Sequence, residues 1–302
     1  MDELLKTQIS IPERKELERE RALLERMVSY ASNREDVVLR RAFAEQETGF
    51  FIDIGACNPV YASITKHFSD RGWCGVNVEP IPSQAELFRP LRPRDVTVCA
   101  GISDRIGETA FYEIKEDVAL STFSERQALE YQQNGFTVVS YKVPLLTLAE
   151  LCKRHVDERT IDFLCIDVEG DERAVLLGAD FRKWRPRILV IEATKPWSTE
   201  PTHQLWEDLV FAADYQFGLF DGLNRFYVRL EDVDPLLPTV SIPANVLDNY
   251  VTHGETMLDG KCRQLEQEAA NFREIGRVGR FLARLVAPLD NRLRKLKLRF
   301  RR

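Results

Sequence analysis

Acidic residues recur in this chain directly after short apolar runs. Asp53 and Gly55 close FFIDIG, Glu79 closes GVNVE, Ser103 and Asp104 close VTVCAGISD, Asp167 and Glu169 close IDFLCIDVE, and Glu192 closes RILVIE. If each run is a strand of one parallel sheet, all of these residues share its carboxyl edge, where open α/β sheets bind ligands. A single acid there reads equally well as a helix cap or a solvated loop residue. Recurrence at five strand ends argues for a site. Glu79 lies 26 residues after Asp53, across one βαβ unit, where a carboxylate accepts hydrogen bonds from both hydroxyls of a ribose.

The turn between them narrows the ribose-bearing ligand. FIDIGACNPV, residues 51–60, offers one glycine and a proline without an N–H, whereas a dinucleotide's pyrophosphate needs the close backbone approach of G-x-G-x-x-G. S-adenosylmethionine has no phosphate and carries a positive sulfonium. A carboxylate such as Asp53 beside a small turn at Gly55 and Ala56 suits it better.

The elements that must hold these residues alternate. Apolar runs ending at Gly55, Glu79, Ser103, Asp167 and Ala193 predict five strands, with TAFYEI as an extension of the third. Helices are expected near residues 62–68, 83–91 and 202–213, and Thr147 and Glu150 form a capping box. YQFGLFDGLNRFYV reads as two strands turned at Asp221 and Gly222. The expected fold is α/β: a doubly wound, mainly parallel seven-stranded sheet with an antiparallel terminal hairpin. We expect an N-terminal helical segment over 1–29, the sheet domain over 30–253 and a basic amphipathic tail over 254–302.

The ends differ from the body. Residues 280–302 hold nine Lys and Arg against Asp290, a net +8, leaving −14 for the rest of a chain whose total is −6. Phe281, Leu282, Leu285 and Val286 fall at helical spacing in that tail. A helix packed on the body or on a partner protein, and one lying on an anionic membrane, both fit; aromatic residues are too sparse for a nucleic-acid surface. Ser10 to Glu13 reads as a capping box before a stripe of Leu17, Leu24, Met27 and Val28, a packing or homo-oligomerising helix. No apolar run reaches the ~18 residues of a membrane span, and MDELLKTQIS lacks a signal peptide's features. A cytoplasmic protein is expected, with the tail leaving contact at the inner membrane face open. Six cysteines without CxxC spacing argue against disulfides or a zinc cluster.

Taken together, SYASNREDVVLRRAF, FIDIGACNPV, SITKHFSDRGWCGVNVEPIP, LSTFSE, IDFLCIDVEGDE and LFDGLNRFYV resemble the FkbM family of S-adenosylmethionine-dependent methyltransferases. The resemblance implies a class I, Rossmann-like methyltransferase fold and O-methylation of a hydroxyl, often on a sugar of a bacterial surface glycan or a glycosylated metabolite. It implies that Asp53, Gly55 and Asn58 surround the methionine part of the cofactor, that Glu79 holds the ribose, and that Ser103 and Asp104 lie near the adenine. Asn33 and Asp36 would support the amino-acid end, or cap the helix that follows them. Ser121, Asn224 and Arg225 are candidates for acceptor contact, with turn roles as the alternative.

A sugar hydroxyl is a poor nucleophile, so a base or a metal is expected to take up its proton. Asp167 and Glu192 end adjacent strands, where two carboxylates can share Mg or Ca and lower an alcohol's pKa. Glu169, beside Gly170, and His203, whose ordinary pKa suits a general base, complete the catalytic candidates. Two other classes remain open at this level: an NAD-dependent sugar oxidoreductase or epimerase, which lacks its glycine-rich turn here, and a non-catalytic tether in glycan assembly.

Overall fold

A computed structural model describes residues 26–274, with side chains to residue 270. The expected Ser10 to Glu13 capping box and the basic segment 280–302 lie outside the described residues. The chain divides into two compact units, Ser29–Asn249 and the two ends. Met27 and Val28, expected on a helix, lie instead in the strand β1 (Met27–Ser29), which ladders with β12 (Tyr250–Thr252), and a helix runs over His253–Glu274. No helix among the described residues is long and apolar enough to cross a membrane.

The main unit is α/β with a mixed sheet of seven strands. In space they run β10 (Tyr215–Phe220), β11 (Asn224–Arg229), β9 (Ile188–Glu192), β8 (Phe163–Ile166), β2 (Phe50–Ile54), β3 (Cys74–Val78) and β4 (Val96–Val98). From β9 to β4 all pairs are parallel, and β11 pairs antiparallel with both β9 and β10. The apolar runs become strands because both faces are covered. Ile52, Ile54, Leu164, Ile166, Leu189 and Ile191 pack on one face with Trp206 and Tyr227. Phe51, Phe163, Cys165, Ile188 and Val190 pack on the other with Val38, Leu39 and Phe226. By the same alternation Asp53, Asp167, Glu192 and Asn224 belong to the second face, and Arg225 to the first.

The expected third strand divides. Val96–Val98 stays in the large sheet, but β5 (Gly101–Ser103) joins a separate three-stranded sheet with β7 (Val138–Thr147) and β6 (Gly107–Ile114). TAFYEI therefore belongs to β6 and does not extend the third strand. Gly101 allows the departure, since a Cβ there would lie 2.4 Å from the Phe123 ring and 2.8 Å from Leu145. The helix expected at 62–68 forms at Lys66–Asp70, and that at 202–213 becomes a 3-10 turn, His203–Leu205, before Glu207–Ala212. Thr147 does cap Leu148–His155, accepting from Glu150 N at 3.1 Å, while the Glu150 carboxylate turns to Arg154.

Candidate functional site

The turn after β2 is held from both sides. Gly55 and Ala56 donate their N–H groups to the Val78 carbonyl at 3.0 Å each, and Asp167 N donates to the Ile54 carbonyl at 3.0 Å. Gly55 has φ +85°, and a Cβ on it would stand 1.7 Å from the Asp167 carbonyl oxygen, so no other residue fits without backbone movement. Cys57, at φ +47°, aims its N–H at Glu79 Oε2 (2.8 Å), and Ile81 N–H meets Glu79 Oε1 (2.7 Å). Both Glu79 oxygens are thus anchored, each with a lone pair to spare. Burial pushes the Glu79 carboxyl up to about 7, against the pull of those two amides.

Around Glu79 lies a cleft of about 620 Å³, counting its open mouth. Ile81, Ile102, Phe111, Val118 and Phe123 give it an apolar wall, and Gly55, Cys57, Asp167 and Glu169 form its other side. Apart from Ile81, which follows β3, the wall comes from the small sheet and the loop after β6. Sequence reasoning missed these residues, although LSTFSE contains Phe123 two positions after Ser121.

Beside the cleft, Asp167, Glu169 and Glu192 each bring an oxygen within 4.8 Å of the other two, the acidic cluster of this kind among the described residues. Asp167 lines the cleft and is exposed there, whereas Glu192 is buried. Asp167 and Glu192 bring carboxyl oxygens within 4.8 Å of each other, close enough that repulsion between them favours their sharing one proton. Burial raises all three, and mutual repulsion raises Glu169 to about 9 and Glu192 to about 12. Glu169 sits at φ +54° with a buried Oε2 that meets no hydrogen-bond donor, so its carboxyl is aimed without being satisfied. Neighbouring Glu172 instead accepts from Gly170 N at 3.0 Å. Three such oxygens match the donor type and reach of a hard divalent cation.

Other expected site residues are placed elsewhere. Asp53 is not a lining residue of the cleft: its carboxylate accepts from Thr65 Oγ1 at 2.9 Å, and the buried Arg92 guanidinium, bound to Thr65 and Ser63, holds that network together. Asn58 folds its own turn, Oδ1 accepting from Val60 N and Tyr61 N. Ser103 donates to Asp104 at an exposed corner of the small sheet, so Gly101 and Ile102, just before them, meet the cleft in their stead. Asp36 is bound by Ser29 Oγ and Tyr30 N, and Asn33 reaches the Asp221 carbonyl; both brace the chain.

The acceptor and base candidates separate by sheet face. Ser121 lines the cleft and accepts from Ile114 N at 3.0 Å. Asn224, opposite Glu192 in the β9–β11 ladder, donates to Glu35 Oε1 at 2.6 Å. Arg225 lies on the opposite face, ion-paired to Glu207 at 2.9 Å and stacked 4.1 Å over Phe217. His203 belongs with it, 4.0 Å from Glu207, its pKa lowered by burial and by Arg225. Neither residue is brought to the acidic cluster. Glu35, which sequence reasoning passed over, is buried between Asn224 and Asn33 N and pushed up to about 8 by burial.

A family model described as the methyltransferase FkbM domain matches residues 53–217. The chain belongs to this family. The matched span contains the anchored Glu79, the cleft wall and the acidic cluster, and excludes Asn33, Asp36, Asn224 and Arg225. Among solved structures, the chain is similar to a TehB-like SAM-dependent methyltransferase from Corynebacterium glutamicum (11% identity, TM-score 0.34, 64% of this chain and 87% of that one). It is similar also to an O-methyltransferase from Bacillus cereus in complex with SAH (15%, 0.34, 64% and 78%). A third is the 1,6-didemethyltoxoflavin-N1-methyltransferase of Burkholderia thailandensis (13%, 0.31, 64% and 77%). No curated protein matches the chain.

Proposed function

We propose that this FkbM-family chain transfers a methyl group from S-adenosylmethionine to a hydroxyl of a sugar in a bacterial surface glycan or glycosylated metabolite, on a class I methyltransferase fold. The observation that carries the reading is the junction of two features: a cleft built around a doubly anchored Glu79, and a cluster of three close carboxyls at its edge. The cleft fits the donor. Glu79 offers its remaining lone pairs to the ribose hydroxyls, Ile81, Ile102, Phe111 and Phe123 enclose a flat base, and the Gly55 turn admits the amino-acid part.

When bound, the donor supplies a methyl group on a cationic sulfur. Asp167, at the mouth, accepts the proton of the attacking hydroxyl, and the neighbouring Glu192 carboxyl steadies the protonated pair. A bound sulfonium favours the ionised form of Glu169, which in turn holds the cationic donor in preference to its neutral product. General-base help of this kind contributes ~10²- to 10⁴-fold, the remainder coming from alignment. Asp167 and Glu192, with Glu169 as third ligand, would hold Mg or Ca, which would lower the hydroxyl's pKa.

Calorimetric titration with S-adenosylmethionine and with NAD tests the donor: binding of NAD alone would sink the reading, and binding of neither would favour a tether. Turnover of glycoside acceptors unchanged by EDTA would remove the cation. We place the enzyme in the cytoplasm, with residues 280–302 as its contact to an anionic membrane face or a partner protein. Equal liposome partition with and without that segment would refute the membrane contact.

A further inference from the structure

Near the acidic cluster three aromatic side chains adjoin to form a ledge, with Tyr131 and Phe136 half-buried and Trp197 exposed. Tyr131 and Phe136 lie 5.8 Å apart between centroids, and Phe136 and Trp197 5.9 Å. Each is placed by a separate local device. The helix Glu125–Gln133 ends through Asn134 and Gly135, the latter at φ +92°, and Phe136 N–H bonds back to the Tyr131 carbonyl at 3.1 Å. That six-to-one closure brings the residue after the glycine against the last turn of the helix, and here it sets Phe136 on Tyr131.

Trp197 occupies a turn in which Ser198 N donates to the Lys195 carbonyl, with Pro196 before it and φ +51° at Trp197 itself. Such a turn favours glycine at this position. A tryptophan there is strained, and the residue is 73% exposed, so neither backbone preference nor core burial accounts for it. The loop is nonetheless pinned at its base, by Lys195 N to the Glu200 carbonyl and by the Thr194–Pro201 bridge.

The ledge borders the reacting edge. A Cβ on Gly170 would lie 3.6 Å from Gln127 Nε2, so the Gln127 side chain reaches the loop that carries Glu169. Tyr131 is one turn beyond Gln127 on the same helix face. Its phenol is raised by burial first and then by the charge of Glu169, with Glu192 contributing.

We infer that Tyr131, Phe136 and Trp197 form the acceptor subsite, on which a pyranose ring without negative charge stacks its C–H face so that one hydroxyl reaches Asp167. The inference rests on the methyl-transfer reading of the acidic cluster and adds to it the platform and the charge class of the sugar. The exposed Trp197, adjoined by the half-buried Phe136 and Tyr131, suits the apolar side of a pyranose. The carboxylates nearby repel an acidic sugar at the same position.

The test uses the full chain with methyl α-D-mannopyranoside, methyl β-D-galactopyranoside, methyl α-L-fucopyranoside and methyl α-D-glucuronide as acceptors. W197A and W197G should raise KM for the neutral glycosides by about tenfold or more, while kcat and the calorimetric Kd for S-adenosylmethionine stay within about twofold. W197F should restore KM. W197G should not lower the melting temperature, because glycine relieves the turn; a purely structural Trp197 would lower it. The ledge is overturned if the wild type methylates these glycosides and W197A leaves their KM unchanged, or if the glucuronide is the better acceptor. If the wild type binds S-adenosylmethionine but methylates none of them, the sugar-transfer reading fails, and the ledge with it.

Discussion

Replacing Glu192 by glutamine tests the shared proton. The Glu192 carboxyl, buried and facing Asp167 and Glu169, is pushed up from 4.5 to about 12, so the folded chain holds a proton that the unfolded chain releases at neutral pH. A carboxyl raised by folding contributes its full stability below the unfolded value of 4.5 and loses it as pH climbs toward the folded value. Each unit above 4.5 removes ~1.4 kcal/mol, which sets a ceiling of ~3.4 kcal/mol at pH 7; water reaching the cleft lowers this to ~2 kcal/mol. Glutamine keeps the shape and a donor toward Asp167 but takes up no proton. Glu192→Gln should therefore melt with the wild type near pH 5 and about 4–8 °C above it at pH 7. Methyl transfer should fall about 100-fold or more. The assay is thermal unfolding by circular dichroism across this pH range, with EDTA present so that the proton is the carboxylates' only partner. A stability difference that does not grow with pH, or a variant less stable than the wild type at pH 7, would refute the shared proton.

Gly55→Ala places a Cβ 1.7 Å from the Asp167 carbonyl at a φ of +85°; we expect a loss of ~3 kcal/mol or more in urea unfolding together with loss of donor binding, and near-normal values would show the turn to be adaptable. Glu79→Gln turns an amide NH₂ toward Cys57 N–H or Ile81 N–H, so the Kd for S-adenosylmethionine should rise about tenfold or more by calorimetry. Arg92→Leu leaves Asp53 and Asp95 buried without their cation and should cost ~3–5 kcal/mol of stability with little change in donor affinity of the folded fraction; a large change in that affinity would return Asp53 to the cofactor site.

What the sequence displays is the position of the strand ends. Continuous apolar runs closed by Asp53, Glu79, Asp167 and Glu192 are strands in the structure, and the turn at Asp221 and Gly222 makes the hairpin. The small sheet is not legible, because Pro144 argues against a central strand, yet β7 is the middle strand of three. Nor does the sequence say which acids are already occupied. Arg92 stands 39 residues beyond Asp53 with no periodicity connecting them, and only the folded chain shows Thr65 and Arg92 enclosing that carboxylate. Arg225 and His203 fail for a simpler reason: one position along β11 changes the face of the sheet, and the loop to His203 returns to that same face.

The acids at this edge differ in what their oxygens meet, and that difference sorts them by role. Asp36 faces a hydroxyl and a backbone N–H, Asp53 a hydroxyl beside a guanidinium, Glu79 two backbone N–H groups and Glu172 one. Such partners favour the charged form and stabilise the fold. Asp167, Glu169 and Glu192 face chiefly one another, an arrangement that burial and repulsion make unfavourable above pH 4.5. The fold would gain stability by replacing any of them with a neutral residue of the same shape. A cationic sulfonium, a divalent ion or the proton of an attacking hydroxyl each relieves the repulsion, so the binding of reactants and the uptake of the reaction's proton are favoured by energy that the empty site cannot release.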